Sequence, residues 1–214
     1  MIKIHSASEH FDFTDAEFAW RLKEIADVRG AIRAAAVDAR KSLLRAAVPI
    51  LYAHWEGFIK VASEAVLSFL STQRHTYREL NACFIAFGAK KHIHLIKESN
   101  NPVDNVAVVE FFLNQMNTRA NITFTGAVVT GANLSSAVFT RIAKSIGVNT
   151  ANYESRYQLI DSSLLERRNT IAHGEYLDVD SDDFDKLANN VLEMMRWYKN
   201  DVQNLVQTKV YLSP

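Results

Sequence analysis

The chain has 214 residues, of which 48% are hydrophobic and 22% charged, and this composition predicts a globular protein with enough apolar side chains for one core. Lysine plus arginine and aspartate plus glutamate both total 24, so the net charge is zero. This balance argues against a protein that wraps nucleic acid through a global positive field, although a local basic site stays open. The single cysteine, Cys83, excludes an intrachain disulfide and a cysteine-based zinc cluster.

The termini and the hydropathy pattern indicate a cytoplasmic protein. Residues 1–15 lack a basic segment followed by an apolar stretch, so we expect no signal peptide. No uninterrupted apolar run reaches the ~18 residues needed to span a bilayer, so we expect no membrane contact. With three prolines and seven glycines the chain has no linker-like segment, and we expect a single domain over residues 1–214.

Helical signals dominate the first third of the chain. A capping box at Thr14–Glu17 predicts a helix over about residues 15–36. A second, longer helix is expected next, because apolar residues then recur every three or four positions. Pro49 inside that stripe predicts either a kink or the start of a new helix. The stripe consists of Leu44, Val48, Leu51, Trp55, Phe58, Ala62, Val66 and Phe69.

The middle of the sequence combines helical and irregular signals. A second capping box, Thr76–Glu79, predicts a helix that runs to about Ile96, and a short helix is expected from Asp104 to Met116. Residues 121–133 differ, because their β-branched side chains and two glycines show no helical period. This stretch predicts a small hairpin or an ordered loop inserted into a helical protein.

Helical periodicity resumes in the last third, over about residues 134–146 and 153–173 and in a final long helix. Ser181 is the expected cap of this final helix. The elements together predict an all-α fold: an antiparallel bundle of six to seven helices with a small irregular or hairpin insertion near residues 121–133. The buried face of the final helix is expected to contain Phe184, Leu187, Val191, Met195, Tyr198, Val202 and Leu205.

An arginine interrupts the apolar face of the penultimate helix. With about 100° per residue, Arg168 lies about 40° from Leu164, inside the apolar stripe. Because a guanidinium does not lose its charge, it must meet a carboxylate such as Glu56 or Glu64, reach the rim of the core, or border a cleft that admits an anion.

Asn169 and His173 lie on another side of this helix. They form an i, i+4 pair, and Gly174 is placed to end the helix, so His173 falls in the last turn, where the helix dipole favours a cation. Arg168 and His173 point about 140° apart on an ideal helix, so both meet one phosphate only if a two-fold interface relaxes the constraint. On spacing alone, an arginine that pairs with an acid and a histidine that caps a helix remain the simpler interpretation.

Two segments resemble a known family. The sequence RRNTIAHG, residues 167–174, resembles the Arg-x-x-x-x-His signature of the HEPN superfamily (higher eukaryotes and prokaryotes nucleotide-binding). Arg168, Asn169 and His173 match its arginine, the polar residue that follows, and its histidine. The sequence LYAHWEGFIK, residues 51–60, resembles the upstream helix of a bacterial HEPN-like nuclease branch, in which a glutamate, here Glu56, sits beside aromatic residues.

The resemblance implies a metal-independent endoribonuclease without a cofactor, acting as a homodimer with Arg168, Asn169 and His173 of both subunits facing one cleft. It also implies a bacterial toxin or phage-defence component with an antitoxin or another defence protein as partner. Some HEPN proteins have lost catalysis and only bind nucleotides or proteins. A non-catalytic helical module is therefore the alternative.

These residue types suit the cleavage of RNA, which carries its own nucleophile in the 2′-hydroxyl. A histidine can take that proton or protonate the leaving 5′-oxygen, an arginine can stabilise the charge on the phosphorane, and an asparagine can orient the imidazole. No metal is needed for this reaction.

Four further residues are candidates with a supporting role. The resemblance suggests that Glu56 holds Arg168 in place, while an exposed i, i+4 pair with Lys60 is an equally good interpretation. Arg167, Lys90 and Lys91 are expected to contact the RNA backbone, although an exposed basic helix face is the commoner explanation for the two lysines.

Overall fold

The computed structural model describes residues 3–98 and 101–213, and the side chains of all of these except 96–98. Within them the fold is all-α, as predicted, with eight α-helices, two 3₁₀ turns, one π-helical stretch and no strand. The helices are α1 (Ala7–Ala34), α2 (Val37–Thr72), α3 (Ala82–Gly88), α4 (Lys90–Glu98), α5 (Pro102–Asn114), α6 (Ser136–Ser145), α7 (Arg167–Ala172) and α8 (Ser181–Gln207). The 3₁₀ turns are Tyr77–Glu79 and Ala151–Arg156, and the π-helix Leu159–Glu166 leads directly into α7.

Helix α1 begins earlier than predicted. The side chain of Ser6 accepts a hydrogen bond from the backbone N–H of Glu9, so the cap lies about two helical turns upstream of the expected start. The predicted capping box at Thr14 is wrong, because Thr14 is buried inside the helix and its hydroxyl donates to the carbonyl of His10. A polar residue pattern alone did not distinguish a cap from a helix-interior threonine.

Helix α2 is the centre of the molecule, and its predicted apolar stripe is confirmed. All eight residues of the stripe are buried, with Trp55 and Phe58 at 0% exposure. Pro49 lies inside the continuous helix, so the prediction of a new helix start at this residue is wrong. The missing hydrogen bond of a proline costs roughly 3 kcal/mol, and the burial of several large side chains offsets it.

Helices α1, α2 and α8 pack against one another, and α7 packs on α2. The predicted buried face of α8 is confirmed, and its Tyr198 hydroxyl lies 2.6 Å from the hydroxyl of Ser63 on α2. Ser181 is not the cap of α8. Asp180 caps this helix by accepting a hydrogen bond from the N–H of Asp183 at 2.8 Å.

The helix predicted from the second capping box to about Ile96 is broken into a turn and two helices, which raises the helix number above the predicted six to seven. The box at Thr76–Glu79 is confirmed, but it opens a 3₁₀ turn. Helix continuation is prevented by the C-terminal segment, since the N–H of Asn81 donates to the carbonyl of Tyr211 at 2.9 Å. These partners are far apart in the sequence, which local periodicity does not detect.

The insertion at residues 121–133 is an ordered loop, not a hairpin. Gly126 and Gly131 adopt φ values of 65° and 67°, and Ala132 adopts 55°, so the chain turns twice without pairing into strands within the described residues. Ile122 and Val128 are buried and anchor the loop on the core. The loop ends next to α2 and α7, where the predicted site lies.

Candidate functional site

The helix that carries Arg168 is not a regular α-helix along its whole length. Residues Leu159–Glu166 form a π-helix, in which hydrogen bonds run from residue i to i+5, and only Arg167–Ala172 is α-helical. The angle of 100° per residue therefore does not apply to residues 159–166, and an ideal helical wheel does not fix where Arg168 lies relative to Leu164. Leu164 is fully buried, whereas Arg168 is half-buried. Short π-helical stretches are frequent at functional sites.

Arg168 points at α2 and at the insertion loop. Its guanidinium carbon lies 4.1 Å from the ring centroid of Tyr52, and its Nη2 donates to the carbonyl of Ala132. Its Nε is buried without a hydrogen-bond partner. The ion pair predicted with Glu56 or Glu64 is absent, and no carboxylate of the described residues pairs with Arg168. The ring and the carbonyl hold the cation but leave its charge uncompensated.

Tyr52 connects this arginine to the insertion loop. Its hydroxyl accepts a hydrogen bond of 2.6 Å from the backbone N–H of Leu134, just after the loop. Burial raises the pKa of the Tyr52 hydroxyl, which therefore stays neutral and does not form an ion pair with Arg168. Sequence reasoning did not identify Tyr52, although it lies one turn before Glu56 in the segment that resembles the HEPN helix.

His173 and Asn169 lie where α7 ends. The N–H of His173 donates to the carbonyl of Asn169 at 2.9 Å, and Gly174 adopts φ 80°, which confirms the predicted glycine stop. His173 is exposed and Asn169 is half-buried. Neither side chain has a hydrogen-bond partner in the part of the chain that the structure describes. Both side chains are therefore free to meet a ligand.

A second arginine lies beside the end of α7. Arg45 on α2 donates to the carbonyl of Glu175 at 3.0 Å, and its guanidinium lies 5.4 Å from the ring centroid of Tyr176, which is 74% exposed. Sequence reasoning missed Arg45. The available signal was its spacing of seven residues from Tyr52, which places both side chains on one face of α2.

The other predicted site residues lie at different distances along the fold from α7: some are on α7 or α2, and others are on α4. Glu56 is half-buried on α2, and it forms no ion pair with Lys60 in the described residues. Arg167 is half-buried beside Arg168. Lys90 and Lys91 are exposed at the start of α4, which packs mainly against α5, so the structure does not group them with α7.

The described part of the chain has neither a metal-binding cluster nor a membrane-spanning helix. Among the described residues, no group of three or more histidine, cysteine, aspartate and glutamate side chains is arranged to hold a metal ion. Within the same residues, no helix combines the length and the apolar character that crossing a bilayer requires.

The all-α fold, with a central long helix packed against the helix of an Arg-x-x-x-x-His motif, defines a HEPN-type domain. Comparison with known families gives a more specific assignment: the family model described as RiboL-PSP-HEPN matches residues 16–204, and the chain belongs to this family. The predicted membership of the HEPN superfamily is thereby confirmed, whereas the Arg-x-x-x-x-His type and the bacterial nuclease branch stay predictions. No curated protein and no solved structure matches the chain significantly.

Proposed function

We propose that the protein is a metal-independent endoribonuclease, active as a homodimer, with Arg168, Asn169 and His173 as its catalytic residues. The observation that carries this proposal is the state of Arg168. A half-buried guanidinium without a carboxylate partner is unfavourable unless another anion compensates its charge. In this proposal a phosphate of RNA is that anion. His173 lies exposed five residues further along, where it can exchange protons with a bound substrate.

The reaction needs only groups that RNA and these residues provide. The 2′-hydroxyl attacks the adjacent phosphorus, a new P–O bond forms, and the bond to the 5′-oxygen breaks, which leaves a 2′,3′-cyclic phosphate and a 5′-hydroxyl. One histidine takes the proton of the 2′-hydroxyl and another group returns a proton to the leaving oxygen. Arg168 stabilises the negative charge on the phosphorane, and Asn169 orients the imidazole or donates to a phosphate oxygen.

A homodimer supplies what one subunit lacks. Each α7 carries a single His173, and a cleft shared by two subunits holds two imidazoles that divide the roles of base and acid. It also allows Arg168 of one subunit and His173 of the other to reach the same phosphate. Arg167, Lys90 and Lys91 extend the contacts to the RNA backbone, whereas Glu56, which forms no ion pair with Arg168 within the described residues, has no part in this proposal.

The proposed biological setting is that of a bacterial toxin or phage-defence component. We infer an antitoxin or another defence protein as its partner, a cytoplasmic location, and one domain over residues 1–214. The family match supports the RNA-related setting, and the single domain is inferred from the absence of a linker-like segment in the sequence.

A non-catalytic module for protein or nucleotide binding is the second candidate. It is favoured by the hydrogen bond from Arg168 to the carbonyl of Ala132 and by the stacking on Tyr52, because both contacts give the guanidinium a structural task.

The deciding experiment is RNA cleavage in excess EDTA. The wild-type protein is expected to cut RNA and to leave 2′,3′-cyclic phosphate ends, and His173→Ala is expected to abolish cutting. His5→Ala, which removes another exposed histidine, serves as the matched control and is expected to cut normally. Full activity in the His173→Ala variant, or no cutting by the wild type, refutes the catalytic proposal. Light scattering tests the dimer, with a mass of twice 24.2 kDa expected.

A further inference from the structure

A cavity of about 810 Å³ lies away from the motif, between α3, the insertion loop and α6. Residues of α3 and α6 and residues 127–131 of the insertion line it, and it is open to solvent on one side. Its volume falls within the range of small-molecule sites, which are roughly 300–1,000 Å³. The insertion therefore borders a ligand-sized open pocket.

The lining combines an apolar surface with two cations. Lys90 and Arg141 border the cavity, and neither forms an ion pair in the described residues. No carboxylate is among the residues that line it. The apolar part consists of Ala86, Phe87, Ala127, Val128, Val129, Val138 and Ile142. Such a lining favours a ligand with a hydrocarbon or ring body and one negative head group.

The loop segment that lines the cavity also contacts Arg168, the candidate catalytic arginine. Gly131 and Asn133 line the cavity, and Ala132 between them accepts the hydrogen bond of Arg168. The next residue, Leu134, donates its N–H to the hydroxyl of Tyr52. A ligand that rests against residues 127–133 therefore contacts the same short segment that holds the guanidinium.

We propose that this cavity binds a small amphipathic anion, an apolar body with one carboxylate or phosphate group, and that the bound ligand restrains Arg168 through residues 127–134. Burial of the apolar body against residues 127–131 favours the loop conformation of this structure, in which these residues line the cavity. In that conformation one guanidinium N–H is committed to the carbonyl of Ala132 and is withheld from a phosphate of RNA. The ligand is therefore an inhibitor, because it stabilises the state in which Arg168 is tethered.

Binding is tested without reference to catalysis. Decanoate, decyl phosphate and decanol serve as probes in titration calorimetry on the full chain. Both anions are expected to bind with one site per chain, and decanol at least about tenfold more weakly, since it lacks the charge that Lys90 and Arg141 neutralise. The tighter of the two anions identifies the head group as carboxylate or phosphate.

The single cysteine gives a second readout of occupancy. Cys83 lines the cavity, so a bound anion is expected to slow its alkylation by N-ethylmaleimide, measured by mass spectrometry. The double variant Lys90→Gln, Arg141→Gln alters two exposed side chains and is expected to reduce anion affinity at least about tenfold without changing the affinity for decanol. Lys144→Gln is the matched control, because this lysine lies on α6 outside the cavity lining.

Absence of saturable anion binding, unchanged Cys83 alkylation, or equal affinity in the double variant overturns the ligand site.

The second part of the proposal, inhibition through Arg168, rests on the proposed ribonuclease function. Decanoate is expected to lower RNA cleavage by the wild type, whereas Arg141→Gln is expected to cut RNA at the wild-type rate and to lose the inhibition. Binding without inhibition refutes the coupling to Arg168. A wild type that binds decanoate but never cuts RNA refutes the ribonuclease instead and leaves the ligand site standing.

Discussion

Two arginines on different helices show how similar local contacts serve different ends. Arg21 on α1 lies 4.2 Å from the ring centroid of Trp20, and Arg168 on α7 lies 4.1 Å from that of Tyr52. Arg21 also pairs with the carboxylate of Glu17 on its own helix and is 6% exposed. Arg168 has no carboxylate among the described residues. The protein pairs the first cation with a carboxylate and, within the described residues, leaves the second without one.

The histidines near these arginines also differ in burial and in whether a carboxylate lies close to the imidazole. His54, on the face of α2 next to Trp20, is 5% exposed, and its Nε2 lies 3.2 Å from the carboxylate of Glu24, although without hydrogen-bond geometry. His173 is exposed and has no side-chain partner in the described chain. The region around Arg21 is thus a self-contained structural cluster, and the end of α7 is an incomplete one, as expected of a binding site.

The largest effect is expected on RNA cleavage when Arg168 is replaced by alanine. Arg168→Ala removes the group proposed to stabilise the phosphorane, so RNA cleavage should fall about 100- to 1,000-fold, the loss seen when one such donor is removed. Cleavage rates under single-turnover conditions measure this. The free energy of unfolding of Arg168→Ala should change little, because the substitution leaves no carboxylate unpaired.

Arg21→Ala is expected to give the opposite result. It leaves the partly buried Glu17 without its partner, and the free energy of unfolding should fall by about 2–3 kcal/mol, measured by urea denaturation. Cleavage by the folded fraction should equal that of the wild type. The comparison fails if Arg168→Ala loses stability but not activity, or if Arg21→Ala loses activity while folded.

A smaller effect is expected for the aromatic partners. Tyr52→Phe removes the acceptor of the buried Leu134 N–H and should lower the free energy of unfolding by about 1–3 kcal/mol. Trp20→Phe is the control, because Trp20 is 46% exposed and its Nε1 donates to Glu17 near solvent. It should change stability by less than about 0.5 kcal/mol. Equal losses in both variants, measured by urea denaturation, would remove Tyr52 from its anchoring role.

The smallest effect concerns the pH dependence of stability. Burial lowers the pKa of His54 below its ordinary 6.5, although Glu24 opposes the shift. The unfolded chain then binds more protons than the folded one below pH 6.5, so this contribution to stability is present above that pH and is lost as the pH falls. The slope is at most about 1.4 kcal/mol per pH unit.

The variant His54→Asn should therefore flatten the stability profile on the acid side of pH 6.5, measured by urea denaturation at several pH values. Burial also lowers the pKa of His10, to about 4, so a residual slope from His10 is expected. A His54→Asn profile as steep as that of the wild type on the acid side of pH 6.5 contradicts the role of His54 in this slope.

Much of the fold was predictable from local pattern, because burial of a continuous stripe is a property of neighbouring residues. The stripes of α2 and α8 are confirmed residue by residue, and the glycine stop after His173 is confirmed as well. Expectations that depended on local polarity alone were less reliable. The cap of α1 is Ser6 and not Thr14, since Thr14 turns inward to a carbonyl of its own helix.

The sequence by itself determined the all-α architecture, the long apolar helices and the motif residues Arg168, Asn169 and His173. Only the tertiary structure decided what those residues meet. A π-helical stretch precedes α7, and the carbonyl of Ala132 reaches Arg168 from a loop 36 residues away in the chain. Helical periodicity describes contacts between residues a few positions apart. A contact closed by a distant loop depends on how whole elements pack, and no short pattern encodes it.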